Sequence, residues 1–246
     1  MLICMCGRFR LTAKERYVAE HFDLDNSGSD EVSLAPRYNI APTQPAAIIR
    51  QHPKQPGRVL SLMRWGMVPA WAKEASIGAR MINAVAESAA EKPAFREPLS
   101  RRRCLVPADG FYEWQKLGAK EKQPFHFGMS DDSLFAFAGL WERWRNPSGG
   151  EYINSFTILT TSANSLVAAI HDRMPVILRP ENYELWLDPG FTDPRGVADL
   201  LKPFEARLMK KYPVSTRVNR AENDDPECIQ EIVPAGPQPY TPNLFS

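Results

Sequence analysis

Phe111-Tyr112-Glu113-Trp114 reads as a strand. Successive strand side chains point to opposite faces, so Phe111 and Glu113 share one face and Tyr112 and Trp114 the other. A carboxylate among aromatic rings is desolvated, which favours its protonated form and suits it to general acid–base work. A glutamate on an edge strand can equally serve a salt bridge. Working outward, the strand signal continues: Cys104 to Val106 before this stretch, residues 124–129, 134–140 and 152–161 after it. Earlier in the chain, Ala46 to Arg50 and Val59 to Arg64 flank a Pro/Gly turn at 53–57. Proline, 22 of 246 residues, runs near twice the usual ~5% and favours short strands and turns over long helices.

Helices are expected where capping residues precede apolar periodicity. Thr12-Ala13-Lys14-Glu15 fits a capping box for a helix over 13–22, and residues 23–33 form a polar surface loop. A short helical stretch follows near 86–91. Ser162 caps a helix over 163–170. Further helices are expected over 181–187 and 195–202, then a strand near 213–218 and a proline-rich arm from Pro234. There is no internal repeat.

Length and composition fit one large or two small soluble domains. A net charge of +1 excludes a broadly polycationic protein, so nucleic-acid binding would need a local basic cleft. Arg101-Arg102-Arg103 is the strongest local candidate for phosphate contacts; its alternative is a solvated face. The four cysteines form no CxxC pair, and Cys4-x-Cys6 is a poor zinc signature, so neither metal nor disulfide is expected. With no signal-like leader and no apolar run approaching 18 residues, the expected location is cytoplasmic, with reduced thiols.

Met5-Cys6-Gly7-Arg8-Phe9 places a cysteine almost at the N-terminus. An α-amine has a reference pKa of about 7.7–8.0, far below that of lysine, so a terminal cysteine offers a neutral amine and a thiol to one carbonyl carbon. The alternative is a small buried thiol in a first strand. Arg37-Tyr38-Asn39-Ile40-Ala41-Pro42 is rich in groups that hydrogen-bond or stack, or is a proline-bounded turn. Trp65 and Trp71, in a stretch broken by Gly66 and Pro69, are a core plug or a stacking surface for unpaired bases. Asn83 needs partners if buried. In His171-Asp172-Arg173-Met174-Pro175, the histidine is a candidate proton shuttle or a helix C-terminal cap.

Cys6-Gly7-Arg8-Phe9, Tyr38 to Pro42, Trp65-Gly66, Ile82-Asn83-Ala84, Gly110 to Trp114 and His171 to Pro175 stand in the order and with the spacing of one family. The chain resembles SRAP proteins, the SOS-response-associated peptidase family, from Cys6 to about residue 220. The resemblance implies an α+β, β-rich single domain with a mixed, barrel-like strand core, flanking short helices and a central DNA-binding cleft. It implies residues 1–5 as an extension, removed or reflecting a misassigned start, a domain over 6–233, and an arm over 234–246. It further implies a monomeric, nucleoid-associated sensor of abasic sites in single-stranded DNA, working without a cofactor. Cys6 would form a thiazolidine with the open-chain sugar aldehyde. Glu113 would assist ring opening and proton transfer, His171 would hold sugar and phosphate and promote reversal, and Asn83 would orient the cysteine. Pro42, Thr160 and Arg173 align with backbone contacts and Trp71 with the stacking surface; Arg8, Asn39 and Arg80 complete the candidate DNA contacts. The family usually carries arginine where this chain has Val85, and its cysteine directly follows the initiator methionine, whereas Met1-Leu2-Ile3-Cys4 precede Met5 here.

Two other functions fit the same residues. One is a cysteine peptidase or amidohydrolase with Cys6 as nucleophile, His171 as base and Asn83 or Glu113 as orienter. The other is a non-catalytic module binding modified DNA.

Overall fold

The computed structural model describes residues 7–24, 34–52, 56–118 and 121–233. Cys4, Cys6, the extension over 1–5, most of the 23–33 loop and the arm over 234–246 lie outside the described residues. In chain order the strands are β1 Phe9–Leu11, β2 Arg37–Ile40, β3 Pro45–Gln51, β4 Arg58–Trp65, β5 Asn83–Val85, β6 Arg103–Ala108, β7 Gly110–Lys116, β8 Lys122–Met129, β9 Phe135–Arg145, β10 Tyr152–Ser162, β11 Arg173–Pro175, β12 Ile177–Leu178 and β13 Met209–Pro213. The helices are short: α1 Glu15–His21, α2 Ala86–Ala89, α3 Arg96–Arg101, α4 Ser165–Ala168 and α5 Tyr183–Leu187, with several 3-10 turns between them.

Strands β3, β4, β10, β9 and β6 pair in a closed circuit, β6 returning to β3 through Ile49 and Leu105. Closure of this kind removes free sheet edges. A second sheet, in the order β13-β8-β7-β1-β2, packs against the barrel. The contact between them is aromatic. Phe137 of β9 meets Phe9 of β1 at 5.8 Å and Phe111 of β7 at 6.0 Å, both edge-on, and Phe111 stacks on Phe127 at 5.1 Å. The fold is therefore α+β with a barrel-like strand core and flanking short helices.

The chain crosses from barrel to second sheet at Asp109, between β6 and β7. Its Oδ2 accepts hydrogen bonds from the Thr12 backbone N–H at 2.7 Å, the Thr12 hydroxyl at 2.7 Å and the Ala13 N–H at 3.0 Å; its Oδ1 lies 3.2 Å from Arg10 Nε. Thr12 is thus committed to Asp109, and the N-cap of α1 is Lys14, with no side-chain cap. Gly110 follows because a Cβ there would sit 2.0 Å from His126 Nε2.

Other expectations shift by a few residues. Ser162 continues β10, opposite Arg173, and Asn164 caps a shorter helix, its side-chain oxygen accepting from Leu166 and Val167 N–H. The segment expected as a strand over 213–218 is instead the end of β13 followed by a 3-10 turn at Thr216–Asn219. The expected 195–202 helix is a 3-10 stretch, Pro194–Leu201. Tyr38 and Asn39 lie in β2, not in a turn. β9 runs five residues past its expected end because Trp141 to Arg145 pair with Phe156 to Tyr152.

The basic run also divides. Arg103 is buried and donates to the Leu99, Ser100, Trp186 and Asp188 carbonyls. Arg102 pairs with Glu97 and Glu142. These two residues tie α3 and α5 to the barrel and are not available to phosphate.

His126 is buried, accepts from Arg10 Nε at 2.9 Å through Nε2, and stacks on Tyr212 at 4.7 Å. Burial, reinforced by the Arg10 and Lys210 charges, holds its pKa well below the usual histidine value. Above about pH 6.5 the ring is neutral in both folded and unfolded chains. Below it the unfolded chain takes up a proton that the native one refuses, so stability falls with pH by about 1.4 kcal/mol per unit for this group. We expect His126→Gln to remove one proton from the acid limb of the stability profile. Identical pH slopes for the two proteins in urea titrations between pH 8 and 5 would refute this.

Candidate functional site

The site is assembled around the C-terminal half of β10. There Ile158, Leu159 and Thr160 run parallel to Asn83, Ala84 and Val85 of β5. On the other side Thr160 and Ser162 face Pro175 and Arg173 of β11. Asn83, Thr160 and Arg173 therefore stand on three adjacent strands. His171 precedes β11 and is tied to it, its Nδ1 accepting from Arg173 N–H at 3.1 Å. Asp172 Oδ1 lies 3.0 Å from the same Nδ1. One lone pair cannot serve both: with Nδ1 accepting from Arg173, a neutral ring carries its proton on Nε2.

The second sheet reaches this region through Trp65. Its indole is fully buried, meets Phe9 edge-on at 5.1 Å, and donates through Nε1 to the Ile82 carbonyl at 2.9 Å, next to Asn83. Its carbonyl accepts from Thr43 N–H at 2.8 Å, holding the Pro42 turn against the same point. Thr43 sits at φ +71°, a conformation that such a fixed turn must sustain. Gly66 follows at φ +120°, where a Cβ would lie 2.6 Å from the Gly78 carbonyl. One indole thus spans the start of β1 and the strand of Asn83. Tyr112 N–H donates to the Arg8 carbonyl at 3.0 Å, so β7 runs alongside the residues leading into β1, and Glu113, only 2% exposed, comes next on β7.

The candidate DNA contacts fall into three kinds. Arg173 is held: its guanidinium makes two bonds to Glu87, at 2.7 and 2.6 Å, and one to the Thr160 carbonyl at 2.6 Å. Hydrogen bonding from Arg173 keeps the Glu87 carboxyl below its ordinary range, against the opposing effect of burial. Glu87 escaped the sequence reading, although it stands only two residues after Val85. Asn39 is a structural pin. It is 0% exposed, its amide donates to the Val218, Arg220 and Asn223 carbonyls, and its oxygen accepts from Arg8. Arg8 also donates to Val218 and lies 5.8 Å over the Trp114 ring; a cavity of about 310 Å3 opens among Arg8, Trp114, Lys122 and Asn219. Trp71, 60% exposed, and Arg80, exposed at the end of the 3-10 turn Ala75–Arg80, face solvent. The two tryptophans thus take one role each, Trp65 in the core and Trp71 on the surface.

Among solved structures, a crystal structure from Bacteroides thetaiotaomicron superposes with a TM-score of 0.83 at 30% identity, covering 93% of this chain and all of the other. A phage-related protein of Bordetella bronchiseptica matches with a TM-score of 0.66 at 27% identity, over 85% of this chain and 94% of its own. The fold is one shared with these bacterial and phage-related proteins. The family model of the SOS response associated peptidases (SRAP) matches residues 5–221, and the chain belongs to that family. Bacillus subtilis "Abasic site processing protein YoqW" is 45% identical over 92% of this chain and 99% of its own. The chicken "Abasic site processing protein HMCES" is 36% identical over 80% of this chain and 66% of its own. No helix among the described residues is long and apolar enough to cross a membrane.

Proposed function

We propose that this protein captures abasic sites in single-stranded DNA as a covalent adduct of Cys6. The observation that supports the reading most is the joint placement of Asn83, Thr160 and Arg173 on β5, β10 and β11, with His171 just before β11 and Glu113 approaching beside the chain that leads back to Cys6. The names of the relatives point to the same lesion. In this scheme the α-amine of a processed Cys6 adds to C1′ of the ring-opened sugar and expels water, giving a Schiff base. The neighbouring thiol then adds across the C=N bond, its proton passing to nitrogen, and closes a thiazolidine. Ring closure is intramolecular, so its effective concentration is high. Glu113 exchanges protons with the sugar during opening, and His171, with its Nε2–H free of the Arg173 bond, contacts sugar or phosphate.

The test is a denaturing gel of the protein with abasic single-stranded DNA, run without reductant. A heat-stable shifted band is expected, formed about 100-fold more slowly by Glu113→Gln, which keeps shape and loses proton exchange. Absence of any stable band with protein beginning at Cys6 would overturn the proposal, and wild-type kinetics in Glu113→Gln would reduce Glu113 to a structural role.

Val85 gives a second check. It lies opposite Thr160 and close in sequence to Glu87, in the place where the family usually carries a cation. Val85→Arg is expected to tighten binding of intact single strands and to steepen the slope of log affinity against log salt by about 0.7, one phosphate contact. An unchanged slope would show that the new side chain does not reach the strand.

A further inference from the structure

At the far end of β10 the hairpin with β9 carries a cationic, aromatic surface. Tyr152 lies opposite Arg145, and Asn154 opposite Arg143, so all four side chains share one face. Tyr152 is 49% exposed, and both arginines and Asn154 are exposed. The Arg143 guanidinium lies 4.0 Å from the Tyr152 ring centroid and that of Arg145 5.9 Å. Two like charges drawn to one ring repel each other, and neither forms an ion pair among the described residues. Other arginines are paired with carboxylates, as Arg102 is with Glu97 and Glu142 and Arg173 with Glu87. Stacking on tyrosine leaves the N–H edges of a guanidinium free to grip an anion in two bonds.

The opposite face of the hairpin is fastened to the Trp71 loop. Trp144, between the two arginines and pointing to the opposite face, donates through Nε1 to the Ala72 carbonyl at 2.7 Å. Ala72 and Val68 of the loop pack on Trp144 and Ile153. An exposed tryptophan therefore flanks one face of this hairpin and the Arg143–Tyr152–Arg145 stack occupies the other. We propose that this hairpin face is a second contact for single-stranded DNA, in which Arg143 and Arg145 hold backbone phosphates and Tyr152 stacks on a base, some distance along the strand from the lesion. Alternating anionic phosphates and planar bases match alternating guanidinium groups and a phenol ring. The proposal rests on the DNA reading of the site above.

The separation sets the experiment. From Thr160 to Tyr152 is eight residues of one strand, about 26 Å at ~3.3 Å per residue. An oligonucleotide of about 5 nucleotides centred on an abasic site cannot cover that distance at ~3.4 Å per stacked nucleotide, whereas one of about 20 can. The double variant R143Q/R145Q is compared with wild type by anisotropy on an undamaged 20-mer across a salt series, and by crosslinking to the abasic 5-mer. The variant is expected to bind the 20-mer about tenfold more weakly, with a salt slope lower by about 1.4, two contacts at ~0.7 each. Crosslinking of the 5-mer, which depends on a folded lesion site, is expected to match wild type. Tyr152→Leu should weaken 20-mer binding without changing the slope. Equal affinity and slope for R143Q/R145Q and wild type on the 20-mer would overturn the proposal, as would selective loss of binding to polyglutamate, which would assign the face to an acidic protein. Failure of both proteins to crosslink the 5-mer would instead overturn the lesion reading, and the hairpin would still be judged by its salt slope on undamaged DNA.

Discussion

Replacing Cys6 with alanine should abolish the heat-stable adduct with abasic single-stranded DNA while leaving binding to intact strands in place. That result is expected from covalent chemistry. Alanine keeps the α-amine, so a Schiff base still forms, but it reverts in hot denaturant without a thiol to close the ring. Phosphate and stacking contacts do not involve the sulfur, so intact-DNA affinity survives. The same chemistry requires a free amine: a Cys6 still joined to Met5 offers an amide nitrogen, which forms no Schiff base, and a thiol limited to a reversible hemithioacetal. In the proposed scheme the adduct-forming species therefore begins at Cys6, and N-terminal mass analysis of the crosslinked protein checks it. An undiminished stable adduct from Cys6→Ala, or from protein still beginning with Met1, would end the thiazolidine assignment.

The largest expected loss of stability lies far from that chemistry, at Arg103. Four main-chain carbonyls, of Leu99, Ser100, Trp186 and Asp188, converge on its guanidinium, which also lies 5.6 Å from the Trp186 ring centroid. Burial lowers its pKa from the ordinary arginine value, with Asp188 opposing. Arg103→Ala removes every donor at once. A buried acceptor left unmade costs about 1–3 kcal/mol, so even with partial hydration the variant should lose about 4 kcal/mol or more. Arg103→Lys should rescue little, because a single ammonium cannot reach carbonyls from two helices that a planar fork spans. Urea unfolding measures both, and a loss below about 1 kcal/mol in Arg103→Ala would refute the clamp.

Arg103 also shows where sequence reading ends. A run of three arginines carries a local signal for phosphate, but the acceptors of Arg103 include residues 83 and 85 positions away, and nothing local announces them. Asn39 is similar: its motif is visible, yet its work is to fasten the 218–223 segment, whose carbonyls have no sequence signature. What was legible rests on short-range rules. Strand alternation found β7, whereas the reason for Gly110, a Cβ that would strike His126, is visible only in the structure. The order of motifs carried the family and, through it, the barrel. Boundaries moved where a side chain had two suitors, as when Asp109 took Thr12 from the α1 cap and Asn164 displaced Ser162.

β10 pairs with β4 and then β5 along one side, and with β9 and then β11 along the other. Leu159 and Thr160 lie between two flanking strands, away from any sheet edge, so their amides are expected to exchange slowly with solvent deuterium. They should report the global unfolding free energy, in the slowest-exchanging class of the protein. The backbone beneath the candidate site is therefore as rigid as the fold itself. The Glu87–Arg173 pair, bonded by two contacts at the surface, is the part of this frame that can be opened by side-chain rotation alone.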